Sequence, residues 1–182
     1  MDNRLIISVA LSGGGTSKKA TPYVPVTAEE IAKDVVACAK AGAAVAHIHV
    51  RDKEGMPTMD KNVFEEVVTE VRSEIKKAGV DILINLTTSG GPATDDDRLL
   101  HLEALKPDMC SYDVGTFNWG NAFIFQNTPY LLDKLGECAV KNNIKPEMEI
   151  FDAGMIGNAR HYIRKGYVVG RPHFQFVLGV SG

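Results

Sequence analysis

An α/β fold, with a parallel sheet joined by helical crossovers, is what this sequence predicts, and three observations predict it. Apolar β-like runs alternate strictly with amphipathic helical stretches. Six such runs recur, with a repeat of roughly 30 residues, the length of one strand–helix unit. Polar residues collect at the carboxyl ends of the runs, where parallel α/β proteins build their sites. Two architectures fit this pattern. One is an open, doubly wound six-strand sheet. The other is a (β/α)8 TIM barrel, which typically needs about 250 residues. Six units in 182 residues are the arithmetic of a barrel without its last two units. The chain also stops at Gly179-Val180-Ser181-Gly182, directly after a strand. The expectation is therefore a single barrel domain over residues 1–182, with the first six β/α units present and the carboxyl end incomplete.

Each element has a local reason. The first run covers residues 5–11, and a Gly-rich loop, 12–17, follows it. Thr27 then caps a helix, with Glu30 completing a capping box. Ile31, Val35, Cys38 and Ala39 form its apolar stripe, and Gly42 ends it. The second run is 43–50. A helix over 62–78 buries Val63, Phe64, Val67, Val68, Val71 and Ile75, and Gly79 closes it. The third run is 82–88. The next helix, 95–105, is capped by Thr94 or Asp95 and leads to the fourth run, 109–114. A long loop with Trp119, Phe123 and Phe125 precedes a helix over 128–142. The fifth run is 147–151, the last helix 155–165 and the sixth run 173–180.

Composition excludes several classes. Hydrophobic residues are 45% and charged residues 24%, which argues against disorder. A formal charge of −3 gives no general pull toward nucleic acid or anionic membrane. The sequence has no apolar run long enough to span a bilayer. Met1-Asp2-Asn3-Arg4 lacks the basic start of a signal peptide. Cys38, Cys110 and Cys138 are too far apart for a zinc knuckle and odd in number, which fits reduced thiols in a cytoplasmic core.

The strongest chemical signal is His47-Ile48-His49-Val50-Arg51-Asp52. Side chains alternate along a strand, so His47 and His49 point the same way. Two imidazoles at a carboxyl strand end can chelate a divalent metal such as zinc. Glu149 and Asp113 are candidates for a third ligand, and so is a residue beyond Gly182. Arg51 and Asp52 form either an ion pair that closes the strand or an orienting group for the histidines. The loop Ser12-Gly13-Gly14-Gly15-Thr16-Ser17 is neither a Walker loop nor a dinucleotide fingerprint. It is either a plain flexible loop or an anion cradle. Asn85-Leu86-Thr87-Thr88-Ser89-Gly90-Gly91 offers hydroxyls for a carboxylate or carbonyl, or else a turn and helix cap.

Ser111 and Asp113 share a face, and a carboxylate facing a barrel interior must be paired or functional. Glu147 and Glu149 also share a face, with Glu149 nearer the catalytic end and Glu147 expected in a salt bridge at the barrel bottom. His101 and His161 are expected at surface or capping positions, and His173 at the wrong end of its strand for catalysis. Trp119, Phe123 and Phe125 read as packing or a subunit contact.

Taken together, these motifs resemble a known family. The matching segments include Pro25-Val26-Thr27-Ala28-Glu29-Glu30-Ile31, Ala41-Gly42-Ala43, His47-Ile48-His49-Val50-Arg51 and Asn85-Leu86-Thr87-Thr88. Gly115-Thr116-Phe117-Asn118-Trp119-Gly120, Lys145-Pro146-Glu147 and Phe176-Val177-Leu178-Gly179-Val180 complete the set. The combination is similar to the β-keto acid cleavage enzymes along essentially the whole chain. The resemblance implies a (β/α)8 barrel, a divalent metal, usually zinc, and a homotetramer. It implies that a β-keto acid and acetyl-CoA, as small-molecule partners, give acetoacetate and a new acyl-CoA. It implies His47 and His49 as metal ligands, with a glutamate ligand, an aspartate base and an arginine beyond Gly182. Thr87, Ser111, Asp113 and Glu149 match residues of the substrate pocket, Ser111 and Asp113 standing for a threonine and an asparagine. Gly15 departs from the lysine-fermentation branch, which carries a glutamate there to read a substrate amino group. The competing expectations are a zinc-dependent hydrolase or aldolase on the same barrel and a non-catalytic fragment.

Overall fold

The structure is a computed structural model that describes residues 5–90, 93–168 and 170–180. Met1 to Arg4, Gly91, Ser181 and Gly182, all named above, lie outside the described residues. Along the chain, β1 (Ser8–Ala10) leads through the Gly-rich loop to α1 (Ala28–Lys40) and β2 (Val45–Ile48). Two short strands, β3 (Val50–Arg51) and β4 (Pro57–Thr58), precede α2 (Lys61–Ala78), β5 (Leu83–Leu86) and α3 (Asp97–Leu105). Then come β6 (Met109–Asp113), β7 (Phe117–Trp119), β8 (Phe123–Phe125) and α4 (Pro129–Asn142). The described elements end with β9 (Lys145–Ile150), α5 (Gly154–Arg164) and β10 (His173–Phe176).

The main sheet has six parallel strands in the order β1-β2-β5-β6-β9-β10. The spatial order is the sequence order and never reverses. A doubly wound sheet reverses at its switch point, so this sheet is not one. With the usual right-handed crossover, monotonic order places every connecting helix on one side. That is the winding of a barrel wall, here a half-barrel. Helix-facing residues of the strands, Ala46, Ile48, Ile84, Leu86, Cys110, Tyr112 and Met148, join Ile31, Val35, Phe64, Val67, Leu102 and Leu135 in one buried cluster. The largest of these side chains each stabilise the fold by about 1.5–3 kcal/mol through burial alone.

Most helix signals in the sequence are met closely. Thr27 caps α1, and the Glu30 capping box is complete. Asp60, two residues before the expected helix, caps α2, which starts one residue early at Lys61, and Gly79 ends it in the left-handed conformation at φ 62°. Thr128 caps α4 with Pro129 in the first turn. The cap expected at Thr94 or Asp95 for α3 is not met: the N-cap position is Asp96, whose side chain makes no capping bond, although the Thr94 hydroxyl accepts from the Asp97 amide at 3.2 Å.

Strand expectations need three corrections. The run 5–11 supplies only Ser8–Ala10, because β1 lies at the sheet edge, with β2 its sole ladder partner among the described residues. The run 43–50 breaks at His49, and β3 leaves the main sheet to pair antiparallel with β4. The expected loop around Trp119 contains an antiparallel hairpin, β7 with β8. Phe117 and Trp119 pack with Phe151, the Phe117 and Phe151 rings stack at 3.9 Å, and Phe125 packs on Phe117 and Trp119. Both missed ladders have only two or three residues per strand, too short for a periodicity to show.

Candidate active site

The face of the sheet turned away from the helices is polar. Cross-strand register aligns His47 with Asn85, Ser111 with Glu147, Asp113 with Glu149, and Glu147 with His173. Period-two alternation puts these side chains together on the concave side.

His47 and His49 converge. Their Nε2 atoms lie 3.1 Å apart and their ring centroids 5.0 Å apart. The strand break makes this approach possible. His49 has left the ladder, and the Ser12 hydroxyl replaces it. Ser12 Oγ donates to the His49 carbonyl at 2.7 Å and accepts from the His49 amide at 3.2 Å. Burial, with the charges of His47 and Arg51, pushes the His49 imidazole down to about 3, so it is neutral near pH 7. Neutral imidazole is the form that binds a metal.

Arg51 forms no ion pair with Asp52. It is buried, and its guanidinium donates to the carbonyls of Ser12, Gly13 and Gly55 at 2.8–3.0 Å. It therefore anchors the Gly-rich loop beside His49, and a Cβ on Gly14 would rest 3.6 Å from the His49 ring. Asp52 instead closes the β3–β4 turn by accepting from the Glu54 and Met56 amides. With two carbonyls turned onto Arg51, the loop is a tethered wall rather than a free one.

The carboxylates form a group with Glu147 buried and Glu149 half-buried. One ligand atom from each of His47, Glu147 and Glu149 lies within 4.8 Å of the others. Glu147, expected in a salt bridge, is paired with two histidines. Its Oε2 accepts from Asn85 Nδ2 at 2.6 Å and lies 3.7 Å from His47 Nδ1, while Oε1 lies 3.4 Å from His173 Nε2. Burial pushes its carboxyl up, but His47, Asn85 and His173 outweigh burial and hold it below the ordinary range. His173, set aside from sequence as lying at the wrong strand end, thus reaches the group through Glu147.

Asp113 and Glu149 meet across β6 and β9. Burial raises Asp113 against the pull of Arg98, and burial with the Asp113 and Glu147 charges raises Glu149 well above the usual carboxylate range. Asp113 Oδ2 accepts from Ser89 Oγ at 3.1 Å, and Oδ1 has no protein partner among the described residues.

Thr87 and Ser111 are both buried. Thr87 Oγ1 accepts from the Ser89 amide at 3.0 Å. Ser111 Oγ accepts from the Thr88 amide at 2.8 Å and lies 3.2 Å from Thr88 Oγ1. Ser111 is therefore occupied in shaping the loop after β5. The same loop is held by Arg98, which sequence reasoning passed over. Arg98 donates to the Thr88 carbonyl at 2.6 Å, the Gln126 carbonyl at 3.0 Å and Asn127 Oδ1 at 2.7 Å. A Cβ on Gly90 would fall 2.4 Å from Arg98 Cγ, so only glycine fits there.

His101 is a correction as well. It is fully buried, not at a surface or capping position. It stacks on Phe64 at 4.0 Å, and its Nε2 donates to the Thr87 carbonyl at 2.9 Å. His161 is exposed on α5, as expected.

The chain is similar to known proteins in sequence and in fold. The sequence profile of the β-keto acid cleavage enzymes matches residues 4–182. The 3-keto-5-aminohexanoate cleavage enzyme of Fusobacterium nucleatum is 38% identical over 181 residues, covering 100% of this chain and 65% of that protein. Its namesake from Acetoanaerobium sticklandii is 39% identical, covering 98% and 64%. The 3-oxoadipate:acetyl-CoA acetyltransferase of Cupriavidus necator is 33% identical, covering 100% and 62%. The chain thus spans just under two thirds of these relatives' lengths. ObcA, solved in a ternary complex with a C4-CoA adduct and oxalate, superposes with a TM-score of 0.78 at 23% identity, over 89% of this chain and 39% of ObcA. At that identity the likeness speaks for the α/β half-barrel alone. The profile match over almost the whole chain and the curated relatives agree, and the chain belongs to the β-keto acid cleavage enzyme family.

Proposed function

We propose that this chain serves a metal-dependent β-keto acid cleavage reaction with acetyl-CoA, giving acetoacetate and a new acyl-CoA. The observation that carries the reading is the 3.1 Å approach of His47 Nε2 and His49 Nε2 beside the carboxylates of Glu147 and Glu149. Two nitrogen ligands of a tetrahedral zinc with bonds of about 2.0–2.1 Å sit about 3.3–3.4 Å apart. The imidazoles fit that edge, and nothing but a proton or a metal ion reconciles two lone pairs so close. His47 and His49 would hold the ion, and Glu149, grouped with His47 and Glu147 within 4.8 Å, is proposed as a carboxylate that joins them. When bound, a divalent ion there supplies Lewis acidity toward a keto oxygen. Zinc is the expected metal.

The reaction balances without a nucleophilic side chain. Removal of a proton between ketone and carboxylate gives an enolate. Its carbon attacks the thioester carbonyl of acetyl-CoA and expels CoA thiolate. The thiolate adds to the original ketone, the carbon–carbon bond breaks, and the released acetoacetate carbanion takes up a proton. Cys110 is unsuited to attack, because burial pushes its thiol above the range where a thiolate forms. Thr87, Ser111, Asp113 and Glu149 would line the keto acid pocket. Thr87 retains a hydroxyl proton to donate. The Asp113–Glu149 pair keeps a proton to higher pH than a free carboxylate, so it can donate a hydrogen bond as well as accept one. The enzyme is proposed to act in the cytoplasm as a homotetramer, on the family resemblance. Among the described residues no helix is long and apolar enough to cross a membrane.

The test is co-substrate dependence. Purified full-length protein, given β-keto acids with and without acetyl-CoA, is expected to release acetoacetate only when acetyl-CoA is present. Cleavage at the same rate with water alone would contradict the reading and point to a hydrolase.

A further inference from the structure

Glu147 is 4% exposed and carries a charge that costs several kcal/mol to bury unless it is well paired. Its partners are Asn85, His47 and His173, from three different strands. The Asn85 contact, at 2.6 Å, is a short charge-assisted bond that commits the amide's NH2 end to Glu147. Asn85 Oδ1 is left without a partner among the described residues. A strand residue that served only to fill the sheet would not be held at that expense.

The two edges of the His47 ring face different groups. Nδ1 faces Glu147 Oε2 at 3.7 Å, and Nε2 faces His49. An ion shared by the two histidines through Nε2 therefore lies on the far side of the ring from Glu147. Metal-binding histidines are oriented by a carboxylate on their other nitrogen, which fixes the tautomer and raises the basicity of the donor atom. We propose that Glu147, held by Asn85 and His173, is the positioning residue for His47: it keeps the proton on Nδ1 and aims the Nε2 lone pair at the metal. The inference rests on the proposed metal reading, and it assigns Glu147 a role distinct from the pocket role of Glu149.

The test measures zinc affinity of the full-length protein by competition with a chromophoric chelator, for wild type, Glu147→Gln, Glu147→Asp, His47→Ala and His161→Ala. Glu147→Gln is expected to bind zinc about 10–100-fold more weakly, Glu147→Asp to recover part of the loss, and His161→Ala to match wild type. His47→Ala is expected to lose binding altogether. Wild type without zinc affinity would overturn both the metal reading and this inference. Wild-type affinity in Glu147→Gln would overturn the inference alone. Loss in Glu147→Gln as complete as in His47→Ala would make Glu147 a ligand and also overturn it. A second readout needs no variant and no metal. The 15N shifts of the His47 imidazole in the metal-free protein are expected to place the proton on Nδ1, and a proton on Nε2 would contradict the proposal.

Discussion

The two faces of the sheet are made from alternate residues of the same strands, yet they follow different rules. Under the helices, Ala46, Ile48, Leu86, Cys110 and Met148 belong to one apolar cluster in which every side chain contributes independently through buried area. On the concave side, His47, Asn85, Asp113, Glu147 and Glu149 are mutually dependent, because each buried polar group is tolerated only through its partners. The first face therefore answers for stability and the second for chemistry. Substitutions on the first should unfold the chain and leave the site's logic intact, and substitutions on the second should do the reverse.

The largest expected effect on stability is on the helix-side cluster. Phe64, fully buried and stacked on His101, is predicted to cost about 3–5 kcal/mol when cut to alanine. Urea unfolding checks this, and a loss under about 1 kcal/mol would break the contrast.

His101 sharpens the comparison where the faces meet, since it packs on Phe64 yet supports Thr87. Burial, outweighing the Thr87 bond, holds its imidazole down at about 4. The unfolded chain therefore binds a proton near pH 6.5 that the folded chain refuses until about pH 4. Stability from this group is full above pH 6.5 and falls as the pH drops toward 4, by about 3 kcal/mol across the window. Unfolding free energies measured from pH 7 to 4 should show this slope. His49, also held low by burial, adds a slope of the same sign, so a His101→Phe variant should show a shallower slope, and an unchanged slope would contradict the assignment.

The smallest stability effect belongs to the concave face. Asp113→Asn replaces a buried carboxyl whose Oδ1 has no partner among the described residues with a neutral group of the same shape. Its unfolding free energy should stay within about 1 kcal/mol of wild type. With the neighbouring charge gone, Glu149 should titrate lower. Turnover is the property expected to change, and a destabilised but fully active variant would reverse the comparison.

Legibility in the sequence follows the same division. The helix face was readable because it repeats: apolar residues at helical spacing in α1 and α2, and alternation in β5 and β6, announce themselves locally. Helix ends at Thr27 and Gly79 were readable from residue type at one position, whereas Thr128, read as the first helical residue, is the cap of α4. On the concave face, His47 and His49 could be paired by the period of two. Glu147 and His173 could not be, because their meeting depends on the register of β9 with β10. Asn85 was visible as part of a polar strand end, but its bond to Glu147 spans 62 positions. Arg98 and His101 lie on a helix whose polar residues resemble a solvated face, and only the packing of α3 against the loop after β5 buries them.

Metal content of the full-length protein, measured by elemental mass spectrometry beside His47→Ala and His49→Ala, tests the central claim most directly. About one divalent ion per chain, absent from both variants while their folds persist, is the predicted result. A folded wild type that binds no ion when zinc is supplied, or variants that retain it in full, would contradict the assignment of His47 and His49 as its ligands.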